Sequence, residues 1–220
     1  VARSIDPALI PPWPTLEFET ALWLKGKSLV AGLDEAGRGA LAGPLYAAAV
    51  VLPSNDPDLA KKLFGVRDSK QLQPFERETL APLIRELALD CSIAWLEAQE
   101  IDSLGMARAG RLVFQKALDG LGEKPHHILI DYFKIPNLDI EQNSLVKGDQ
   151  RSLSIACASI LAKQARDARM IEEAERYPAY GLAENKGYGS QEHIHAIQSL
   201  GLTDFHRKSF CEGLLQLSLF

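Results

Sequence analysis

Cysteine is scarce in this 220-residue chain, and its placement excludes more than its number does. The three thiols, Cys91, Cys157 and Cys211, are far apart, odd in number and form no C-x-x-C pair. That argues against a zinc site or a disulfide framework and for a reducing, cytoplasmic setting. Long apolar runs are lacking too. The best, Ala40–Leu52, is short and interrupted by Gly43 and Pro44, so no segment reads as a membrane span. The opening residues, from Val1, show no basic-then-apolar leader pattern. Internal repeats are absent. There is no basic excess: the formal charge is −5, which argues against a uniformly basic coat for nucleic acid. A local basic groove stays open, because an acidic metal site would supply several of the negative charges.

What is present is an ordinary apolar fraction, 46%, enough for one domain with a modest appendage. The chain is organised around Gly32–Gly43, which reads Gly-Leu-Asp-Glu-Ala-Gly-Arg-Gly-Ala-Leu-Ala-Gly. An apolar run, Leu29–Leu33, leads into Asp34 and Glu35. A glycine-rich turn follows (Gly37, Arg38, Gly39), and a second apolar run, Leu45–Leu52, leaves it. The pattern is strand, acidic tip, open backbone loop, strand. Acids at a strand end can hold a metal, and glycines beside them let a polymer backbone approach.

In chain order, residues 1–14 read as a proline-rich irregular arm, and Thr15–Leu24 as a short helix with Thr15 as its cap. Strands are expected at Ser28–Leu33, Leu45–Leu52, Cys91–Leu96 and His127–Ile130, with a brief extended piece at Leu145–Val146. Helices are expected at Pro74–Leu89, Ala107–Leu121, Leu153–Arg176 and Glu192–Leu200. The long one is lined in its first half by Ala156, Ala158, Ser159, Ala162 and Ala165, small enough to lie close to a sheet. Tyr177–Ser190 reads as a glycine- and aromatic-rich loop, and Phe205–Phe220 as a segment ending in an apolar tail. A hairpin followed by strand–helix units makes a mixed α/β sheet with helices packed on it. The expected division is an arm with a short helix (1–24), a catalytic domain (25–176) and a C-terminal appendage of loop and helices (177–220).

Four acids stand out by position: Asp34 and Glu35 at the end of the first strand, Asp131 at the end of a later one, and Asp149 before the long helix. Ligands gather beyond the carboxyl ends of strands in open α/β sheets. Convergent carboxylates repel each other unless cations occupy the site. Oxygen ligands without histidine or cysteine select Mg²⁺ or Mn²⁺ over zinc, and two such ions can clamp the attacking and leaving oxygens of a phosphodiester. One difficulty is geometric. Adjacent side chains on a strand point to opposite faces, so Asp34 and Glu35 share a site only if the strand ends or bends, or if Glu35 offers its carbonyl. Lys163, Arg166 and Arg169 have helical spacing, read equally as a phosphate site or a solvated face. Tyr188, between glycines, is placed to stack on a sugar or base or to pack down on the protein. His193 and His195 fall on roughly opposite sides of a helix, which disfavours a shared metal.

These residues resemble a family. Gly32 to Gly39, then Leu41-Ala42-Gly43-Pro44, is similar to the signature of ribonuclease HII, the type 2 ribonuclease H. Further blocks follow in the family's order: Asp68-Ser69-Lys70, Leu129-Ile130-Asp131, Lys147-Gly148-Asp149, Ala158 to Lys163 with Arg166-Asp167, Lys186-Gly187-Tyr188 and His206 to Phe210. The resemblance implies a ribonuclease H-like fold with a five-stranded mixed sheet flanked by helices. It implies hydrolysis of the RNA strand of RNA–DNA hybrids, and incision 5′ of single ribonucleotides in duplex DNA. By resemblance Asp34, Glu35, Asp131 and Asp149 are the metal-binding carboxylates. Gly37, Arg38 and Gly39 form the ribonucleotide-sensing loop, Tyr188 reads the junction, and Lys70 meets phosphate. Lys163, Arg166 and Lys186 complete the electrostatic grip. Two departures stand out: Ala40 where many members have proline, and Tyr132 where glycine is usual. A monomer acting on nucleic acid, with no membrane association, is expected.

Overall fold

The structure is a computed structural model that describes residues 5–132 and 134–216. Five strands form: β1 Val30–Ala36, β2 Leu45–Val51, β3 Asp90–Leu96, β4 His127–Asp131 and β5 Glu141–Leu145. They make one mixed sheet in the order β3-β2-β1-β4-β5. The pairs β1–β2 and β2–β3 are antiparallel, and β1–β4 and β4–β5 are parallel. The helices are α1 Glu17–Trp23, α2 Leu59–Lys62, α3 Pro74–Leu87, α4 Ala98–Leu104, α5 Met106–Asp119, α6 Leu153–Arg176, α7 Leu182–Asn185, α8 Gln191–Leu200 and α9 Lys208–Gln216. No helix among the described residues is long and apolar enough to cross a membrane.

Every residue of β2 is buried, because helices cover both faces of the sheet. On one face Ala31, Leu33, Ala47 and Ile128 pack against Val113, Phe114 and Ala117 of α5. On the other, Ala48 and Val50 meet Ala156, Ile160 and Leu161 of α6 and Ile84 of α3. The small residues have the use that their spacing suggested. A Cβ built on Gly32 would lie 2.2 Å from the carbonyl carbon of Ser154, so the first turn of α6 rests directly on the backbone of β1. Interiors at crystal-like density have no slack for such an overlap.

The chain ahead of the sheet is clasped to the start of α6. Thr15 exchanges backbone hydrogen bonds with Arg151 (3.1 Å) and Leu153 (2.9 Å). One carboxylate oxygen of the buried Glu19 accepts from the Ser152 hydroxyl (2.6 Å), the Ser154 amide (2.9 Å) and the Ser154 hydroxyl (2.6 Å). Past α6, Tyr180, Leu182, Ile197, Phe205 and Cys211 form a separate cluster on Met170 and Ala42.

Several elements differ from expectation. β1 runs through both acids to Ala36 instead of stopping at Leu33. β5 is a full strand whose polar residues Glu141, Gln142, Asn143 and Ser144 are exposed or half-buried at the sheet edge. α4 is separate from α5 because Gly105 turns the chain at φ +72°. α1 starts at Glu17, with Thr15 Oγ1 accepting from the Glu17 amide at 3.4 Å. The stretch read as a loop after Tyr177 contains α7. Within the arm, Pro7–Leu9 is one 3-10 turn. The first four residues of that arm and the last four of the apolar tail lie outside the described residues.

Gly32→Ala should destabilise the protein by about 1–3 kcal/mol through overpacking, read as a lower denaturant midpoint. Gly213→Ala, where an added methyl meets open space on α9, should instead stabilise by about 0.5–1 kcal/mol.

Candidate active site

The site begins where β1 outruns its neighbour. The β1–β4 pairing stops at Leu33 opposite Ile130 and β4 ends one residue later, at Asp131, so Asp34 and Glu35 have no paired residue on the β4 side. On the other side β1 stays paired, with Asp34 opposite Ala48 and Glu35 opposite Ala47. The strand therefore does not end at the acids. Both acids nonetheless line one cleft. That cleft, about 510 Å³, is lined by Asp34, Glu35 and Asp131, by Gly37, Arg38 and Gly39, and by Lys70, Lys163 and Tyr188.

Each carboxylate is held. Asp34 accepts from the Glu35 amide at 2.8 Å and from the Ser159 hydroxyl of α6. Ser159 is itself 2.9 Å from the Ser69 hydroxyl, which ties the Lys70 loop to the helix. Glu35 pairs with Arg38 at 3.5 Å. Asp131 accepts from the Gly148 amide at 2.7 Å. Asp149 sits in a buried 3-10 turn, Gly148–Gln150, entered through the left-handed Lys147 (φ +54°). Beside it is Asp68, another buried acid, whose two oxygens accept from the Lys70 amide (3.0 Å) and the Gln150 side chain (3.1 Å).

Charge accumulates here at a cost. Burial, then Glu35, Asp131 and Asp149, raises the Asp34 carboxyl well above its ordinary range. Burial likewise raises Glu35 against the opposing Arg38, and Asp131 against its amide donor. Asp149 is pushed up to about 7 by burial and then by Asp68 and Asp131. Burial alone would lower Lys70, but Asp34, Asp68, Asp149 and Asp131 together raise it. Among the described residues, no three acid, histidine or cysteine side chains are drawn close enough to grip an ion in this arrangement. The donor chemistry nonetheless suits a hard divalent cation: oxygen only, in mutually repelling carboxylates.

The basic residues divide. Lys163 lines the cleft and pairs with Asp167 at 2.6 Å; burial lowers its pKa, the Asp167 partner notwithstanding. The ammonium of Lys186 turns back onto the Ala183 carbonyl. Arg166, expected to meet phosphate, faces inward. It is fully buried and donates to the carbonyls of Pro44 (2.9 Å), Lys186 (2.9 Å) and Ala42 (3.1 Å). Arg169 pairs with Glu173 at 2.8 Å. The ring of Tyr188, 37% exposed, lies over Arg166 (5.3 Å) and Lys163 (5.7 Å). Gly37 (φ +94°) is required by crowding, since a Cβ there would lie 2.0 Å from Arg166 Nε, whereas Gly39 faces open space. His193 is buried against His206, and His195 is exposed on the other side of α8. Tyr132, 46% exposed, is left-handed at φ +66°, the conformation that makes glycine usual at such a position.

The family described as Ribonuclease HII matches residues 31–213. The chain belongs to the ribonuclease HII family. Ribonuclease HII of Synechococcus sp. (strain JA-3-3Ab) is 50% identical over 90% of this chain and 88% of its own length. That of Caldicellulosiruptor bescii is 42% identical over 91% and 95%. The crystal structure of the ribonuclease H2 from Pyrococcus horikoshii OT3 superposes with a TM-score of 0.72 at 25% identity, covering 86% of this chain and 98% of that one. A Bst-RNase HIII solved in complex with Mn²⁺ shares the fold at 21% identity, with a TM-score of 0.64, over 88% of this chain and 70% of that one. Ribonuclease HII membership makes the chain a nuclease, a hydrolase of phosphodiesters.

Sequence reasoning assigned no role to Asp68, Ser159, Glu19 or Arg207. Asp68 and Arg207 stand inside the family-like blocks and Ser159 in the small-residue stripe, so the sequence shows their positions but not their partners. Glu19 carried no signal beyond being an acid in a helix.

The raised carboxyl pKa values fix a sign. Between the ordinary carboxylate range and about 7, the native protein holds protons that the unfolded chain has lost. Stability without divalent ions should therefore fall as pH rises through that window. Thermal melts in chelator should show it, and added Mg²⁺ or Mn²⁺ at pH about 8 should raise the melting temperature.

Proposed function

We propose that this protein hydrolyses the RNA strand of RNA–DNA hybrids and incises duplex DNA 5′ of a single ribonucleotide, leaving 3′-hydroxyl and 5′-phosphate ends. One observation carries the reading: Gly37, Arg38, Gly39 and Tyr188 line the same cleft as Asp34, Glu35 and Asp131. Only the 2′-hydroxyl distinguishes a ribonucleotide from its neighbours, and unhindered backbone groups beside the acids are suited to hydrogen-bond it. The Tyr188 ring, held over two cations, would pack against the adjoining sugar.

Asp34, Glu35, Asp131 and Asp149 would hold two divalent cations, Mg²⁺ or Mn²⁺. When bound, such ions lower the pKa of the attacking water and offset charge on the leaving oxygen. The chain's own groups do the rest. Lys70 sits beside the acids and would meet a phosphate oxygen; Lys163, which lines the cleft, would extend the grip along the backbone, and Lys186 would join it by leaving the Ala183 carbonyl. That grip should weaken with salt. Arg166 contributes from beneath the loop rather than by contact. The protein acts as a monomer in this reading.

The test is cleavage of a duplex with one ribonucleotide beside an all-DNA duplex, with Mg²⁺ and with chelator. A single metal-dependent cut 5′ of the ribonucleotide is expected; equal cutting of both duplexes would reduce the protein to a general nuclease. Asp34→Asn should lower kcat by about a thousandfold or more with the fold intact. Tyr188→Ala should weaken junction preference more than metal affinity, measured by comparing kcat/KM across substrates with the metal-dependence curve.

A further inference from the structure

Two buried arginines lie beneath the cleft, and neither forms an ion pair with a carboxylate among the described residues. Arg166 holds the carbonyls of Ala42, Pro44 and Lys186, as described above. Arg207, also fully buried, donates from Nε to the Gly43 carbonyl (2.9 Å) and from Nη1 to the Arg38 carbonyl (3.1 Å). Its amide donates to the Leu41 carbonyl at 2.8 Å. The carbonyls of residues 38, 41, 42, 43 and 44 are thus all taken by two residues distant in sequence.

The Lys186-Gly187-Tyr188 segment is held as completely. The Lys186 carbonyl is on Arg166, and the Gly187 carbonyl accepts from the amides of Leu41 (2.8 Å) and Ala42 (3.1 Å). The Tyr188 carbonyl is 2.8 Å from His193 Nδ1. Hydrogen-bond logic sets the tautomers. The Thr203 amide donates to His206 Nδ1 (3.1 Å), so the His206 proton is on Nε2. That proton reaches His193 Nε2 (3.2 Å), so the His193 proton is on Nδ1 and points at Tyr188. Both rings are buried, and burial lowers both pKa values, His206 to about 4, which keeps the chain of donors neutral.

We propose that Arg166, Arg207 and His193 are positioning residues that lock the Gly37–Gly39 loop and Tyr188 into one preset element for reading a ribonucleotide junction. The inference rests on the function proposed above. The hydrogen bonds that the three side chains make to the two segments all end on backbone carbonyls, so the lock fixes where the amides and the ring stand without touching substrate. Buried guanidinium–carbonyl hydrogen bonds tolerate little displacement, and small misplacements of positioning groups are costly to rate. The lock leaves the four acids alone, since none of its hydrogen bonds reaches them.

The consequence is selective. Cutting within a long hybrid needs the acids, whereas cutting at a single ribonucleotide also needs the loop and the ring in register. In Arg207→Lys, which keeps the charge but loses the fork, the ratio of kcat/KM at a single ribonucleotide to that in a long hybrid should fall about tenfold. His193→Phe should lower the same ratio, and His193→Asn, which restores a donor toward the Tyr188 carbonyl, should recover it. A merely structural role would lower both activities in proportion and give no such rescue. Should Arg207→Lys fail to fold, the His193 pair decides. An unchanged ratio in folded Arg207→Lys and His193→Phe, with a wild type that discriminates, overturns the lock alone. A wild type that cuts all-DNA duplex equally well overturns the functional reading first, and the lock with it.

Discussion

The contact between Gly32 and Ser154 governs the rest of the structure. It is a van der Waals constraint between two backbones. Because Gly32 has no side chain, α6 can rest on β1, and its hydroxyl at Ser159 then falls on Asp34. The same approach sets the turn before α6, where the Gly148 amide holds Asp131. The clasp from Thr15 and Glu19 closes on that turn from the other side. The acids therefore inherit their geometry from packing, and their charge is imposed on a frame already decided.

Electrostatically the frame is unfavourable on both sides of one cleft. Carboxyls are raised by burial and mutual repulsion, and beneath the loop burial and the neighbouring Arg166 lower Arg207 to about 9. Burial of an ion costs several kcal/mol unless hydrogen bonds satisfy it. Arg166 and Arg207 are met by carbonyls, Asp34 and Asp131 by amides, and Glu35 by Arg38, so the two buried arginines do not neutralise the acids.

Much of this was legible in the chain. Apolar runs located β1, β2, β3 and β4, and helical periodicity with small residues located α6 at its observed limits. β5 was largely missed because an edge strand with exposed Glu141 and Asn143 carries no apolar alternation. The end of β1 was placed too early because acids read as a strand tip, whereas β2 keeps pairing with them. Arg166 looked like a surface cation because helical spacing does not say which face is covered. Here that face is covered by the loop from Ala42 to Pro44, more than a hundred residues away in sequence. What escaped the sequence was tertiary in each case: a partner strand, a covering loop, a distant carbonyl.

The lock around residues 38–44 has a consequence for the order in which the protein is made. Asp34, Glu35 and the loop emerge within a few residues of each other, but the arginines that hold the loop lie 122 and 169 positions from their partners. Domains emerge from their N-terminal side. A nascent chain can thus assemble most of the acid-bearing sheet while the loop is still unfastened. The final fastening waits for Arg207, 169 positions after Arg38. The element that would distinguish one sugar from another is thus completed only after the acid-bearing strands have been made.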